Sequence, residues 1–179
     1  MAHMSGHNKW AQIKRQKGAT DAAKSKIWGK LSKRITVESR KANGDADAAN
    51  VRSVVETAKK TNMPKENIDR AIKKGVSTDS TALEQITYET YGPGGAAILI
   101  ETVTDSRNRT AQEIKHLLSK NGLTLAAQGS ASWAFEKSGD EWVAKTLIPI
   151  SESDSDALMK LLEIIDSHDD VEAVYTNAE

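Results

Sequence analysis

A glycine-rich stretch is the part of the sequence whose residue types most directly suggest chemistry. Residues 92–97 read GPGGAA and satisfy the dinucleotide-binding pattern G-x-G-x-x-G/A. That pattern holds a pyrophosphate only when it follows a strand and opens a helix. Here the β-branched apolar run AAILIETVT (96–104) follows, and it predicts a buried strand. We therefore interpret Gly92-Pro93-Gly94 as a tight turn between two strands, in which Gly94 accepts a positive φ.

Other signatures of catalysis and of metal binding are missing from the sequence. It contains no P-loop, no G-x-S-x-G and no H-E-x-x-H. It has no cysteine, which removes disulfides, thiolate metal ligands and cysteine nucleophiles together. The four histidines are scattered. We expect no enzyme, no cofactor and no metal, although a metal site made of carboxylates alone stays open.

Charge is divided unevenly along a chain whose formal net charge is zero. Residues 1–75 hold 18 Lys/Arg and 7 Asp/Glu, a net charge of +11, whereas residues 76–179 hold 7 and 18, a net charge of −11. A basic half of this kind is typical of proteins that bind a polyanion. The alternative is two solvated domains that differ in charge or attract each other. We favour binding to nucleic acid or to the ribosome.

The most basic segment is the N-terminal arm SGHNKWAQIKRQK (5–17). Lys and Arg side chains neutralise phosphates, and an aromatic side chain such as Trp10 can stack on a base. A predicted helix then places Lys24, Lys26 and Lys30 outside its apolar stripe. The alternatives are core packing for Trp10 and an ordinary solvated face for the lysines.

A second candidate phosphate site lies in the segment DSRNRT (105–110). Thr110 and Glu113 have the spacing of a capping box, which predicts that a helix starts at Thr110. Arg107 and Arg109 would then stand at a helix N-terminus, where free N–H groups and the helix dipole favour an anion. The alternative is that both arginines pair with nearby acids such as Asp105.

The hydrophobic periodicity predicts a change of architecture between the two halves. The basic half reads as three helices: one at residues 21–41, one at 48–61, and one within 62–75 for which Pro64 suits the first helical position and Gly75 the stop. The second half reads as strands at 86–92, 96–104, 130–137, 142–150 and 171–177, with helices at 110–122 and 155–167. From residue 96 the order is βαββαβ, so we predict an α+β protein in which a helical domain precedes a ferredoxin-like domain. Right-handed crossovers would place both of its helices on one face of a four-stranded sheet.

The aromatic residues and the apolar runs exclude several classes of protein. An RNA recognition motif shares the βαββαβ order but needs aromatics on its central strands, and AAILIETV and KTLIPI have none. We expect Trp28, Trp133 and Phe135 to pack in the interior, the last two on one face of an outer strand. No apolar run reaches about 18 residues and no secretory leader is visible, which favours a cytoplasmic protein without a membrane span.

Several long motifs together resemble the YebC/PmpR family, whose mitochondrial members are translational activators of a cytochrome oxidase subunit. They are SGHNKWAQIKRQKGATDAAKSKIWGKL, NMPKENIDRAIKKG, YETYGPGGAAILIETVTDSRNRTAQEIKHLLSKNG and the terminal DDVEAVYTN. The resemblance implies a helical domain and two α/β domains, the third inserted within the second. Here only EKSGDEWVAK fills the place of the insertion. We therefore expect a helical domain at 1–79 and a ferredoxin-like domain at 80–179, with a short hairpin near 136–145 replacing the third domain.

The resemblance implies two functions, neither of them enzymatic. Some members are described as DNA-binding transcriptional regulators, and others bind the ribosome and relieve stalling, notably at proline-rich stretches. The sequence has no clear helix-turn-helix signature, and its acidic half would resist lying along a duplex. We therefore favour the ribosome and its RNA as the partner, with duplex DNA as the alternative, and we expect a monomer.

The residues predicted to contact nucleic acid fall in four places along the chain. They are Lys9, Trp10, Lys14, Arg15 and Lys17 in the arm; Lys24, Lys26 and Lys30 on the first helix; Asn62, Met63 and Arg70 around a helical turn; and Tyr91, Arg107, Asn108 and Arg109 where the sheet meets a helix.

Overall fold

The computed structural model describes residues 21–78, 82–139 and 141–179. Its helices are α1 (Asp21–Lys41), α2 (Ala49–Lys60), α3 (Lys65–Val76), α4 (Arg107–Lys120) and α5 (Glu152–Asp166). Its strands are β1 (Glu84–Tyr91), β2 (Ala97–Thr104), β3 (Phe135–Ser138), β4 (Glu141–Ala144) and β5 (Val171–Thr176). The α+β class, with helices first and a sheet after them, is confirmed. None of the described helices combines the length and the apolar character that crossing a membrane requires.

The first compact unit contains α1, α2 and α3. Apolar side chains recur along each helix at helical spacing, so each helix has one buried stripe. These stripes meet in a small core of Leu31, Ile35, Val54, Ala58, Met63, Ile68 and Ala71. Ten of the fourteen Lys and Arg side chains at residues 21–78 are thereby left exposed, and the other four are half-buried: Lys30, Lys33, Arg34 and Arg40.

Helices α1 and α3 pack closely because α3 has a glycine where the two backbones meet. A Cβ at Gly75 would lie 2.7 Å from Ser39 Cβ and 2.8 Å from the carbonyl oxygen of Thr36. Ser39 Oγ donates to the carbonyl of Ile72 at 2.7 Å, and Thr36 Oγ1 donates to that of Ala71 at 3.1 Å. Two side chains of α1 therefore contact the backbone of α3 directly at this close approach.

The second compact unit is built on a three-stranded sheet with the strand order β1-β2-β5. Strands β2 and β5 are antiparallel, and Ile98 pairs with Thr176 and Ile100 with Val174. Ile98, Ile100 and Val174 pack against α4 and α5 in one core cluster. The expectation that both helices cover one face of the sheet is confirmed.

The four-stranded sheet predicted from residue 96 onward needs correction, although the order of its elements is found. Strands β3 and β4 form a separate hairpin, in which Phe135 pairs with Ala144. The hairpin cannot extend the sheet beside β2, since β1 and β5 already occupy both hydrogen-bonding edges of that strand. Instead Phe135 and Ala144 pack on the face opposite the helices, against Leu99 and its neighbours.

The glycine-rich stretch forms the turn that the sequence predicts, and it opens a strand. Residues Pro93–Gly95 make a short 3₁₀ turn, in which Gly94 has a φ of +69°. The turn is closed by the N–H of Gly92, which donates to the carbonyl of Ala96 at 2.8 Å, and β2 begins directly after it. A Cβ at Gly94 would lie 2.6 Å from Ile150 Cγ2, so glycine is required for conformation and for space.

Candidate nucleic-acid interface

The basic arm lies outside the described residues, and with it Lys9, Trp10, Lys14, Arg15 and Lys17. On α1, Lys24 and Lys26 are exposed and Lys30 is half-buried, while Lys26 and Lys30 also make contacts within the protein. Residues 21–78 hold 14 Lys/Arg against 7 Asp/Glu, a net charge of +7. The described part of the helical unit is therefore cationic without the arm.

Trp28 packs against the core of the helical unit, as the sequence predicts. Its Nε1 donates to the carbonyl of Thr61 at 3.2 Å. Thr61 follows the last residue of α2, so the indole satisfies one of the carbonyl groups that a helix end leaves without a partner. Trp28 is thus a structural residue of this core.

The turn between α2 and α3 exposes Asn62 and buries Met63. Asn62 has a φ of +58°, and its N–H donates to Lys59 while that of Met63 donates to Ala58. This is a Schellman motif, in which the residue after the left-handed position makes an apolar contact with the helix that it ends. Met63 is 5% exposed and lies in the core, which weakens the prediction that this residue contacts nucleic acid.

Arg70 is exposed on α3, and the structure adds further cations that sequence reasoning missed. They lie at the end of α2 and along α3, and all are exposed: Lys59, Lys60, Lys65, Lys73 and Lys74. Helical periodicity could have found them, because each falls outside the apolar stripe of its helix. Lys59 and Lys60 lie in the last turn of α2, and Lys73 and Lys74 in the last turn of α3. Positive charges at these C-terminal ends also stabilise the helices through their dipoles, which is an ordinary structural role.

Helix α4 begins at Arg107, three residues before the predicted start. Thr110 is therefore inside the helix and does not form the predicted capping box with Glu113. It is buried, and its Oγ1 donates to Asp170 Oδ2 at 2.7 Å. A Thr-x-x-Glu pattern fits an interior turn as well as a cap, and the long-range partner Asp170 cannot be read from local sequence.

The three residues predicted to contact nucleic acid at the start of α4 differ in how strongly they are bound within the protein. Arg109 Nη2 lies 2.9 Å from Asp170 Oδ2, and its Nε lies 3.9 Å from Glu113 Oε2. Arg107 and Asn108 are exposed, and Arg107 also makes a contact within the protein. The charge of Arg109 is therefore largely committed to structural carboxylates, which weakens its prediction as a phosphate ligand.

A group of possible metal ligands lies beside Arg109, with ligand atoms of Glu113, His168 and Asp170 within 4.8 Å of one another. His168 Nδ1 accepts the backbone N–H of Asp170 at 3.1 Å, so the ring hydrogen is on Nε2. That nitrogen lies 3.0 Å from Glu113 Oε2 and donates to it. Because a metal would need the Nε2 lone pair, the arrangement favours a hydrogen-bonded network that fixes α4 to the segment before β5.

Tyr91 is exposed at the end of β1, and it lies beside a tryptophan that the sequence places in the interior. Trp133 is 52% exposed, whereas Phe135 is 4% exposed and packs as predicted. Residues Ser132–Ala134 form a 3₁₀ turn, which breaks the strand alternation that would have put both rings on one face. Trp133 Nε1 donates to Tyr91 Oη at 3.0 Å, so the two rings are joined at their polar ends.

A buried carboxylate holds the loop that carries Trp133. Glu89 is 4% exposed and accepts the backbone N–H groups of Gly129, Ala131 and Ser132 at 2.7, 2.7 and 2.8 Å. Burial alone would raise the pKa of Glu89, but these three donors outweigh it and hold that pKa below its ordinary value. The carboxylate is therefore ionised at neutral pH and organises the loop at residues 129–132.

Comparison with known proteins identifies the family of the chain. Residues 8–78 match the model of the TACO1/YebC protein N-terminal domain, and residues 83–140 match that of the TACO1/YebC second and third domain. The crystal structure of a conserved hypothetical protein, Aq1575 from Aquifex aeolicus, superposes with a TM-score of 0.85 and 29% sequence identity, covering 96% of each chain.

Two bacterial relatives carry the name probable transcriptional regulatory protein. The one from Syntrophus aciditrophicus is 47% identical over 161 residues, which cover 88% of this chain and 62% of the relative. The one from Desulfosudis oleivorans is 43% identical over an alignment of 183 positions, which covers 98% of this chain and 72% of the relative. The chain thus spans less than two thirds of the length of the Syntrophus relative. On this evidence the chain belongs to the TACO1/YebC family.

Proposed function

We propose that this protein is a non-enzymatic regulatory protein that binds nucleic acid through its basic helical half. The observation that carries the proposal is the charge of that half, which holds 18 Lys/Arg against 7 Asp/Glu in residues 1–75. Lysine and arginine on the outer faces of α1, α2 and α3 can neutralise phosphates without disturbing the core. The regulatory names of the relatives support the same conclusion.

Duplex DNA is the partner that those names favour. Helices α2 and α3 are joined by a short turn at residues 61–64. Exposed Arg70, Lys73 and Lys74 lie along α3, where they can contact a phosphate backbone. A DNA-binding transcriptional regulator is therefore our first candidate.

Ribosomal RNA is the second candidate, in a translation factor that assists difficult stretches such as proline-rich ones. The observation that favours it is the acidic half, with a net charge of −11 over residues 76–179. A uniformly anionic duplex repels such a surface along its whole length. The irregular surface of ribosomal RNA would let a basic arm reach inward while the acidic half stays outside.

Two binding measurements at one salt concentration separate the candidates. A regulator should bind one promoter fragment at least about 10³-fold more tightly than competitor DNA. A translation factor should co-sediment with ribosomes at a salt concentration where binding to duplex DNA is lost. Failure to bind either partner at low salt would refute the proposal.

A further inference from the structure

Trp133 and Tyr91 form an exposed aromatic pair in the α/β unit, and their fractional exposures are 52% and 38%. An exposed indole does not contribute the stabilising free energy that its burial would give, which is roughly 25 cal/mol for each Å² of apolar surface. Phe135, two residues away, is buried in the core instead. The 3₁₀ turn at Ser132–Ala134 directs the side chains of Trp133 and Phe135 to different sides. The exposure of Trp133 is therefore a consequence of the local backbone conformation.

The polar atoms of both rings are already used within the protein. Trp133 Nε1 donates to Tyr91 Oη, and that hydroxyl in turn donates to the carbonyl oxygen of Ser130. Neither ring therefore needs a partner for hydrogen bonding. What both rings offer to the outside is their π surface, which gains free energy by stacking.

The loop that carries Trp133 is fixed before any partner arrives. Glu89 accepts three of its backbone N–H groups, and the N–H of Ala126 donates to the carbonyl of Glu89 at 2.8 Å. Thr90 Oγ1 donates to the carbonyl of Thr124 at 2.8 Å and ties the start of the same loop to β1. A ring held in this way loses little conformational entropy on binding, so more of the stacking energy is kept as affinity.

We propose that Trp133 and Tyr91 form a stacking platform for an unpaired nucleobase, an inference that rests on the proposed function. Within a duplex both faces of a base are covered by its neighbours, so only an unpaired base can stack on a protein ring. From Thr124 to Ser132 the other exposed residues of the loop are Thr124, Ala127, Gln128 and Gly129, which are small or polar. They add no large apolar side chain to the two rings, whereas the core of a stable protein interface is mostly apolar.

The stacking platform also predicts how the salt dependence of binding responds to mutation. Neither Trp133 nor Tyr91 carries a positive charge, so the platform contributes stacking and no attraction for phosphate. Removing the indole should therefore lower affinity at every salt concentration and leave the slope of log affinity against log salt unchanged. Removing cations from the basic arm should change that slope.

The test titrates the full-length protein with fluorescently labelled 12-nucleotide strands, one of DNA and one of RNA with the same sequence, and with the corresponding duplexes. For Trp133→Ala we expect the affinity for single strands to fall about 5- to 100-fold, which is the stacking energy of one base converted at 1.4 kcal/mol per tenfold. Trp133→Phe should keep most of the affinity. Binding to duplexes should not change, and the DNA and RNA strands together show which kind of unpaired base is preferred.

Val143→Ala is the matched control, since Val143 is exposed on the hairpin and outside the platform. It should bind single strands like the wild type, and thermal unfolding of every variant verifies that the fold is intact. If Trp133→Ala binds single strands as tightly as Val143→Ala, the platform is refuted while the proposed function stands. If the wild type binds no nucleic acid at low salt, the proposed function itself fails. An equal loss for duplexes and single strands would also overturn stacking on unpaired bases.

Discussion

At the scale of single residues, the sequence predicts those side chains whose environment is local. Trp28 lies on the apolar stripe of a predicted helix, and it is found in that core. Gly94 follows a proline in a turn, and it has the positive φ that the turn requires. The prediction that Trp133 packs in the interior is wrong, because a 3₁₀ turn rotates its ring outward. A Schellman motif turns Met63 inward, which weakens its predicted contact with nucleic acid. The role of Glu89 cannot be read from the sequence, because the three backbone N–H groups that it accepts lie 40 to 43 residues further along the chain.

Glu89→Gln tests the role of that buried carboxylate. The amide keeps one acceptor oxygen and turns a donor toward at least one backbone N–H group, so we expect a loss of about 1–3 kcal/mol in the free energy of unfolding. Urea denaturation at neutral pH measures that loss. Glu136→Gln on β3, which is exposed, should change the stability by less than about 0.5 kcal/mol.

The same carboxylate predicts a pH dependence of stability. Because the folded-state pKa of Glu89 is lowered, the unfolded state binds the proton more readily, and the stabilisation is complete above the unfolded pKa. It is lost as the pH falls from about 4.5 through the folded pKa. Part of the acid destabilisation of the wild type should therefore be absent in Glu89→Gln. Identical pH profiles for the two proteins would refute this assignment.

At the scale of elements, periodicity finds the helices and strands, and tertiary contacts set their ends and partners. The predicted helix at 21–41 matches α1, and the strand at 96–104 matches β2 within one residue. The start of α4 was placed three residues late, because Thr110 bonds to Asp170, a residue 60 positions away. The strand predicted at 142–150 stops at Ala144, and the hairpin that it forms packs on a face of the sheet instead of joining its edge.

Two glycines in helices of the same unit should respond in opposite directions to one substitution. Gly75 was predicted to stop α3, yet it lies inside that helix at its closest approach to α1. Gly75→Ala should destabilise the protein by about 1–3 kcal/mol, since the new methyl would overlap Ser39 and the carbonyl of Thr36. Gly29→Ala on α1 has nothing within 4 Å of the new methyl and should stabilise by roughly 0.5–1 kcal/mol. Thermal or urea unfolding measures both, and equal signs would contradict this account of the α1–α3 contact.

At the scale of the whole molecule, the opposite charges of the two halves are the property that most constrains function. Charge is visible in the sequence without any structure, because it depends on composition and not on packing. The structure adds that no Lys or Arg is buried in the described part of the helical unit, and that most of its cations are exposed. The family is visible in the sequence as well, through long motifs. The choice between DNA and ribosomal RNA is not, since both present the same phosphate chemistry to a lysine.

The central claim, that the basic half binds nucleic acid through phosphate contacts, is tested most directly by the salt dependence of binding to duplex DNA. The affinities of the wild type, of the triple variant Lys14→Ala/Arg15→Ala/Lys17→Ala, and of Lys115→Ala/Lys120→Ala/Lys160→Ala are measured between low and physiological salt. The second triple variant also removes three positive charges, which belong to the acidic half and are exposed. If all three arm residues contact phosphates, the slope of log affinity against log salt becomes shallower by about 2.7, at roughly 0.9 per contact. The control should keep the wild-type slope, and an arm variant that also keeps it, or a control that loses as much, would contradict the account.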